Sequence, residues 1–244
     1  MKALALMEAR LYLRDPMVLP FALALPLVLM LVFGLPEESS RPSADIGGQI
    51  PLETVLPSLA LSLSFAMLGA YMLPAFLTEY RVRGVLRRLS TTPVSPLAVL
   101  GAHLAINLAV AVVAVVLVLV LGGAVLGMPM PENVPALALV LVLGVSSLFS
   151  LGLLIAAVAR DAPAAYVLGA LFFFPSLFFA GIWLQKEQMP STLSRIGDFT
   201  PLGAFRESLE AAWTGGSPEL LALAVMAAVT VLAGGAAART FRWE

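Results

Sequence analysis

The chain predicts an all-α membrane protein, and three observations carry that prediction. Of its 244 residues, 60% are hydrophobic and 12% are charged. Its mean hydropathy is +0.98. Six stretches, over 16–36, 54–78, 89–131, 133–159, 162–185 and 220–238, hold no Asp, Glu, Lys or Arg. A water-soluble domain of this size would have to expose more contiguous apolar surface than water tolerates. With no cysteine, disulfide frameworks and thiol chemistry are excluded.

A helix needs about 20 apolar residues to cross a bilayer, so each stretch supplies one span. The third is long enough for two. Thr91, Thr92, Pro93, Ser95 and Pro96 give it a surface-type opening, however, and Met128-Pro129-Met130-Pro131 closes it. One span fits, with Ser95 as N-cap and Pro96 at the first helical position. The expected spans run over about 17–35, 55–78, 97–126, 135–159, 163–184 and 219–238. Lys2 ahead of an apolar run has the look of a secretion signal, but Glu8 and Asp15 precede that run and no Ala-x-Ala site follows it. The first span is therefore expected to be retained.

Six spans place both termini on one side. With that side cytoplasmic, the inner segments hold ten Lys and Arg and the outer ones only Arg41, Lys186, Arg195 and Arg206, a positive-inside bias. Four of the inner arginines fall in the segment Glu79-Tyr80-Arg81-Val82-Arg83-Gly84-Val85-Leu86-Arg87-Arg88-Leu89. On a helical period Val82, Val85, Leu86 and Leu89 make an apolar stripe, and Arg81, Gly84 and Arg88 lie opposite it with Arg87 beside them. Glu79 precedes Arg83 by one turn, a pairing worth a few tenths of a kcal/mol. Gly84 costs such a helix roughly 1 kcal/mol and gives another backbone room to approach. Such a surface suits either anionic lipid headgroups or a soluble partner.

The spans contain no Asp, Glu, Lys or Arg, and His103, the one histidine, is the candidate for a proton-carrying group within the membrane. Ion-coupled carriers keep ionisable groups at mid-membrane, so an energy source outside the membrane is favoured. The chain does not carry one: Lys2 and Lys186 are its only lysines and neither stands in a Gly-x-x-x-x-Gly-Lys setting. A single histidine and no buried carboxylate also argue against an intramembrane hydrolase.

The fifth span reads Phe172-Phe173-Phe174-Pro175-Ser176-Leu177-Phe178-Phe179-Ala180-Gly181-Ile182-Trp183, followed by Lys186, Glu187, Met189-Pro190 and Phe199-Thr200-Pro201-Leu202. This order, together with Glu79 to Pro96 after the second span and the ending Ala238-Arg239-Thr240-Phe241-Arg242-Trp243-Glu244, resembles the ABC-2 type transporter permeases over essentially the whole chain. The resemblance implies the membrane subunit of a bacterial ATP-binding-cassette exporter of the drug- or antibiotic-efflux type. ATP and Mg would be bound by a separate ATPase, two copies of which would serve a homodimer of this chain in the cell membrane. No cofactor is expected in this chain and no nucleic acid among its partners. It implies a coupling helix over 79–92 that docks on the ATPase, through Glu79, Arg81, Arg83, Gly84, Arg87 and Arg88. It further implies a connecting helix over 1–15, where Ala3, Leu4, Met7 and Leu11 share one face and Arg10 and Arg14 another. Short re-entrant helices over 181–213 would form an outer cap at the exit, with Gly181, Trp183, Pro190 and Pro201 as its marked positions.

For the path itself the residues offer Ser62, Asn107 and Ser147, with Phe174 and Phe178 as stacking surfaces. In membrane proteins such hydroxyls more often join helices than touch ligands. An apolar path suits a lipophilic or amphipathic cargo such as a drug, antibiotic or lipid. Polysaccharide or glycolipid export within the same family is the nearest alternative, and a stand-alone lipid channel or scaffold is the alternative outside it.

Overall fold

The structure is a computed structural model that describes residues 18–43, 46, 48–82, 96–184 and 186–240. The expected connecting helix over 1–15 lies outside the described residues, as do Arg83, Gly84, Arg87, Arg88 and the side chain of His103.

Among the described residues every regular element is helical. In chain order these are α1 Val18–Gly34, a 3-10 turn Glu37–Ser40, α2 Val55–Ala66, a π-helical segment Met67–Met72, α3 Leu73–Val82 and α4 Pro96–Leu126. There follow α5 Val134–Val158, α6 Ala162–Phe179, a 3-10 turn Lys186–Gln188, α7 Ser191–Asp198, α8 Pro201–Trp213 and α9 Leu220–Thr240. α2, the π segment and α3 follow one another without a break. Among the described residues five runs are long and apolar enough to cross a membrane: Val55–Glu79, Leu104–Leu126, Val134–Val158, Ala162–Phe179 and Leu220–Thr240. α1, over the first expected span, has 17 residues, a rise of about 26 Å against a hydrocarbon core of about 30 Å. The molecule is an all-α membrane protein.

Three helices start the same way. Asn133 Oδ1 accepts from the Ala136 N–H at 3.1 Å, Asp161 Oδ1 from Ala164 at 2.8 Å and Thr200 Oγ1 from Gly203 at 3.2 Å. Pro135, Pro163 and Pro201 follow within the first turn, where a missing N–H costs nothing.

α5 is the centre of the bundle, with α9, α8, α3, the π segment and α4 packed against it. Lipid gives helices no hydrophobic reason to associate, so close approach over small residues must supply the packing. A Cβ on Gly144 of α5 would stand 1.9 Å from the ring of Phe205 in α8, and one on Gly152 would stand 1.9 Å from the Gly69 carbonyl oxygen of the π segment. From the other side Gly169 of α6 approaches Ala70, its virtual Cβ 3.0 Å from that carbonyl oxygen. The π segment is thus held between two glycines. Its wider turn, in which the Leu73 N–H reaches back to Leu68 O, re-phases α3 relative to α2. Away from α5 the helices present bare apolar faces, such as Val116 and Val120 on α4, Val167 and Leu171 on α6, and Val231 and Leu232 on α9, the composition that lipid contact requires.

The connections fall into two sets at opposite ends of α5. At its Val134 end, Glu132 N–H donates to Trp213 O and Asn133 N–H to Ala212 O, both at 3.2 Å, and Asn133 Nδ2 donates to Gly216 O at 3.0 Å. These bonds fasten the chain entering α5 to the segment 180–216, called the cap below. At its Val158 end, α5 meets the last turn of α3.

Candidate functional site

The Val158 end is held by Arg81. Its Nη1 donates to Ala156 O at 3.2 Å, and its Nη2 donates to Ala159 O. Ala159 is the C-cap of α5, so both acceptors belong to the last turn, where carbonyls lack helical partners and carry the negative end of the helix dipole. A cation there satisfies both. The helical wheel set Arg81 with Gly84 and Arg88 on one outward face; its guanidinium is instead spent on the neighbouring helix. Glu79, two residues earlier, is exposed. The start of the arginine segment is therefore tied to the central helix.

At the other end the cap is built on tight backbone contacts. α7 and α8 stack on the end of α6 through Gly197 and Gly203: a Cβ on Gly197 would lie 2.4 Å from Phe179 O, and one on Gly203 would lie 2.4 Å from Gly197 O. Gly181 has φ +74, a left-handed conformation that favours glycine. A side chain there would also meet Arg206 Nη1 at 2.7 Å. That nitrogen donates to Ala180 O, the C-cap carbonyl of α6, at 2.7 Å.

Around Arg206 lies a charged cluster that the span-by-span reading of the sequence did not single out. Arg206 is 8% exposed, and its Nη2 lies 3.6 Å from Glu210 Oε2. Lys186 Nζ reaches Asp198 Oδ1 at 2.5 Å and pairs with Glu207 Oε1. Burial of the Lys186 ammonium pulls its pKa down, but hydrogen bonds and charge from Asp198 and Glu207 outweigh burial and leave it above its ordinary value. Lys186, Arg206, Glu207 and Glu210 line a cavity of about 490 Å³ together with Ile46, Val55, Leu59 and Ile182. The signal was legible: Arg206 stands four residues after Leu202 and four before Glu210, at a position where the apolar period of α8 calls for a buried side chain. Of the other cap positions singled out from sequence, Trp183 and Pro190 are exposed and Pro201 is buried at the start of α8.

The expected path residues separate into two groups. Ser62 and Ser147 are fully buried and Asn107 is 3% exposed; the two hydroxyls donate within their own helices, to Leu59 O at 3.3 Å and Gly144 O at 2.8 Å. Phe174 is 49% exposed and belongs to an aromatic group with Phe173 and Tyr71, ring centroids 5.4 and 6.5 Å away. Phe178 packs edge-on against Phe179 at 5.6 Å. Tyr71 belongs to the π segment, so the aromatic face and the helix irregularity coincide. Among the described residues no group of three or more His, Cys, Asp or Glu is placed to hold a metal ion.

No curated protein matches the chain. The profile of the family described as ABC-2 type transporter matches residues 1–212, which takes in α1 to α7 and nearly all of α8. The chain belongs to the ABC-2 type transporter family, as a multi-pass permease component of an ABC transporter.

Proposed function

We propose that this permease moves a lipophilic or amphipathic compound, such as a drug, antibiotic or lipid, outward across a bacterial cell membrane. It works as a homodimer with two copies of a separate ATPase, both of its termini lie in the cytoplasm, and the cap stands on the outer face. The observation that carries this reading is the segregation of charge: the spans lack Asp, Glu, Lys and Arg, and the charged groups gather at the two ends of α5. An apolar path favours an apolar cargo. The arginine-rich end favours the cytoplasm and supplies a surface for the ATPase that the chain itself lacks. Arg83, Gly84, Arg87 and Arg88 form that surface, with Glu79 at its start, and ATP and Mg are bound by the partner. ATP-driven closure of two ATPase subunits would move this segment. Through Arg81 the movement would reach α5, and through α5 the cap, as a rigid-body tilt.

The reading is tested by reversing charge at two positions, Arg87→Glu with Arg88→Glu. The doubly substituted permease is expected to insert normally while losing both copurification with the ATPase and stimulation of its activity. Normal stimulation would remove the segment from the coupling role. Outward movement is tested separately in inverted vesicles, where ATP should drive accumulation of a transported dye; ATP-driven depletion would reverse the direction.

A further inference from the structure

The cap cavity is not needed to explain how the permease couples to an ATPase, and its wall has an unusual electrical make-up. Two cations, Lys186 and Arg206, line the cavity with two carboxylates, Glu207 and Glu210; Lys186 pairs with Glu207 and with Asp198, which stands behind the lining, and Arg206 pairs with Glu210. The cations are the buried members: the side chains of Lys186 and Arg206 are 16% and 9% exposed, against 37%, 37% and 31% for Asp198, Glu207 and Glu210. The charge that this wall shows to a visitor is therefore carboxylate.

The surroundings have the same sign. The segments 36–54, 127–133 and 180–219, which share the cap end, carry ten Asp and Glu against four Lys and Arg, whereas the remaining charged segments carry five against ten. A field of that sign concentrates cations at the cap end and repels anions. Ile46, Val55, Leu59 and Ile182 add apolar surface to the same lining. At about 490 Å³ the cavity lies within the range of roughly 300–1,000 Å³ that holds drug-sized molecules.

We infer that the cap cavity is a binding site for an amphipathic organic cation. Its ammonium or iminium group sits against Glu207 and Glu210, the more exposed members of the ion pairs, and its apolar part lies on Val55 and Leu59. The inference narrows the class of cargo proposed above and rests on that reading only for what binding is for; binding itself is a property of this chain alone.

Rhodamine 123, a lipophilic cation, is a suitable probe, and fluorescein, an anion on the same ring frame, is its control. Binding is read by fluorescence anisotropy on the full chain in lipid nanodiscs, with empty nanodiscs subtracted. Saturable binding of rhodamine 123 and none of fluorescein is expected. Glu207→Gln should weaken rhodamine binding roughly tenfold or more, the scale of one charge-assisted contact. Leu59→Trp should weaken it comparably by filling the cavity, and it leaves the ion pairs alone should the Gln variant fold poorly. Rhodamine affinity unchanged in Leu59→Trp, or equal binding of fluorescein, overturns the site. Because no ATPase is present, loss of the exporter reading would leave this result standing, and loss of this result would leave the exporter reading standing.

Discussion

Arg81 and Arg206, at opposite ends of the bundle, both donate to the C-terminal carbonyls of a neighbouring helix, but under different electrical conditions. Arg81 serves the last turn of α5 from a half-buried position at the edge of an arginine-rich segment. Arg206 serves the C-cap carbonyl of α6 from a position 8% exposed, with Glu210 beside it and the Lys186 pairs nearby. The same contact therefore has different consequences. Water close to Arg81 lowers the cost of losing its partners, whereas removing Arg206 leaves the partly buried Glu210 carboxylate without its cation and a carbonyl without its donor. One end is a fastening that can yield. The other is closed off, so that losing one guanidinium strands two acceptors.

The largest effect should follow from Arg206→Met, a loss of roughly 3 kcal/mol of stability in detergent, the scale of a buried ion pair deprived of one member. Tryptophan fluorescence can report it, because Trp213 is buried on the same helix. Gly181→Ala should cost about 2 kcal/mol, since it forces a side chain into a left-handed backbone position and toward the Arg206 guanidinium. In the Arg206→Met background that cost should shrink, and strict additivity would show that the two residues do not share a constraint. Arg81→Met should cost only about 1 kcal/mol, yet it should lower substrate stimulation of the ATPase while the complex still copurifies. If Arg81→Met proved as destabilising as Arg206→Met, the contrast between a yielding and a closed end would be wrong.

The two ends also differ in how far the sequence announced them. The arginine segment is dense in charge beside apolar runs, so it was visible at once. What a helical wheel could not reveal is that Arg81 bonds the last turn of α5, because that choice depends on where the end of α5 lies in space. The spans were legible for a simple reason: bilayer thickness imposes a length and lipid excludes charge. The cap network was harder to see, since Lys186, Asp198, Arg206 and Glu207 are scattered over 22 residues and converge only when α7 and α8 stack on α6. The glycines that allow the stacking, Gly197 and Gly203, look ordinary in sequence because their need arises from a carbonyl on another element. Ser62 and Ser147 illustrate the reverse case. Polar residues on apolar spans attract attention, but their hydroxyls are satisfied one turn back on their own helices.

The smallest effect separates the two ends by pH. Lys186 is the group concerned. Burial alone would release its proton early, but Asp198 and Glu207 outweigh that and hold the pKa above 10.5. A folded-state pKa above the unfolded one means that folding favours the protonated ammonium. The resulting stability is fully present below pH 10.5 and is lost as pH rises through the higher folded value. The difference in melting temperature between the wild-type protein and Lys186→Met should therefore stay constant from about pH 7 to about pH 10 and shrink only above that. The same comparison with Arg81→Met, at the other end of the bundle, is the control. A Lys186 difference that shrank toward acid pH while holding at alkaline pH would mean that its partners, rather than the lysine, govern the network.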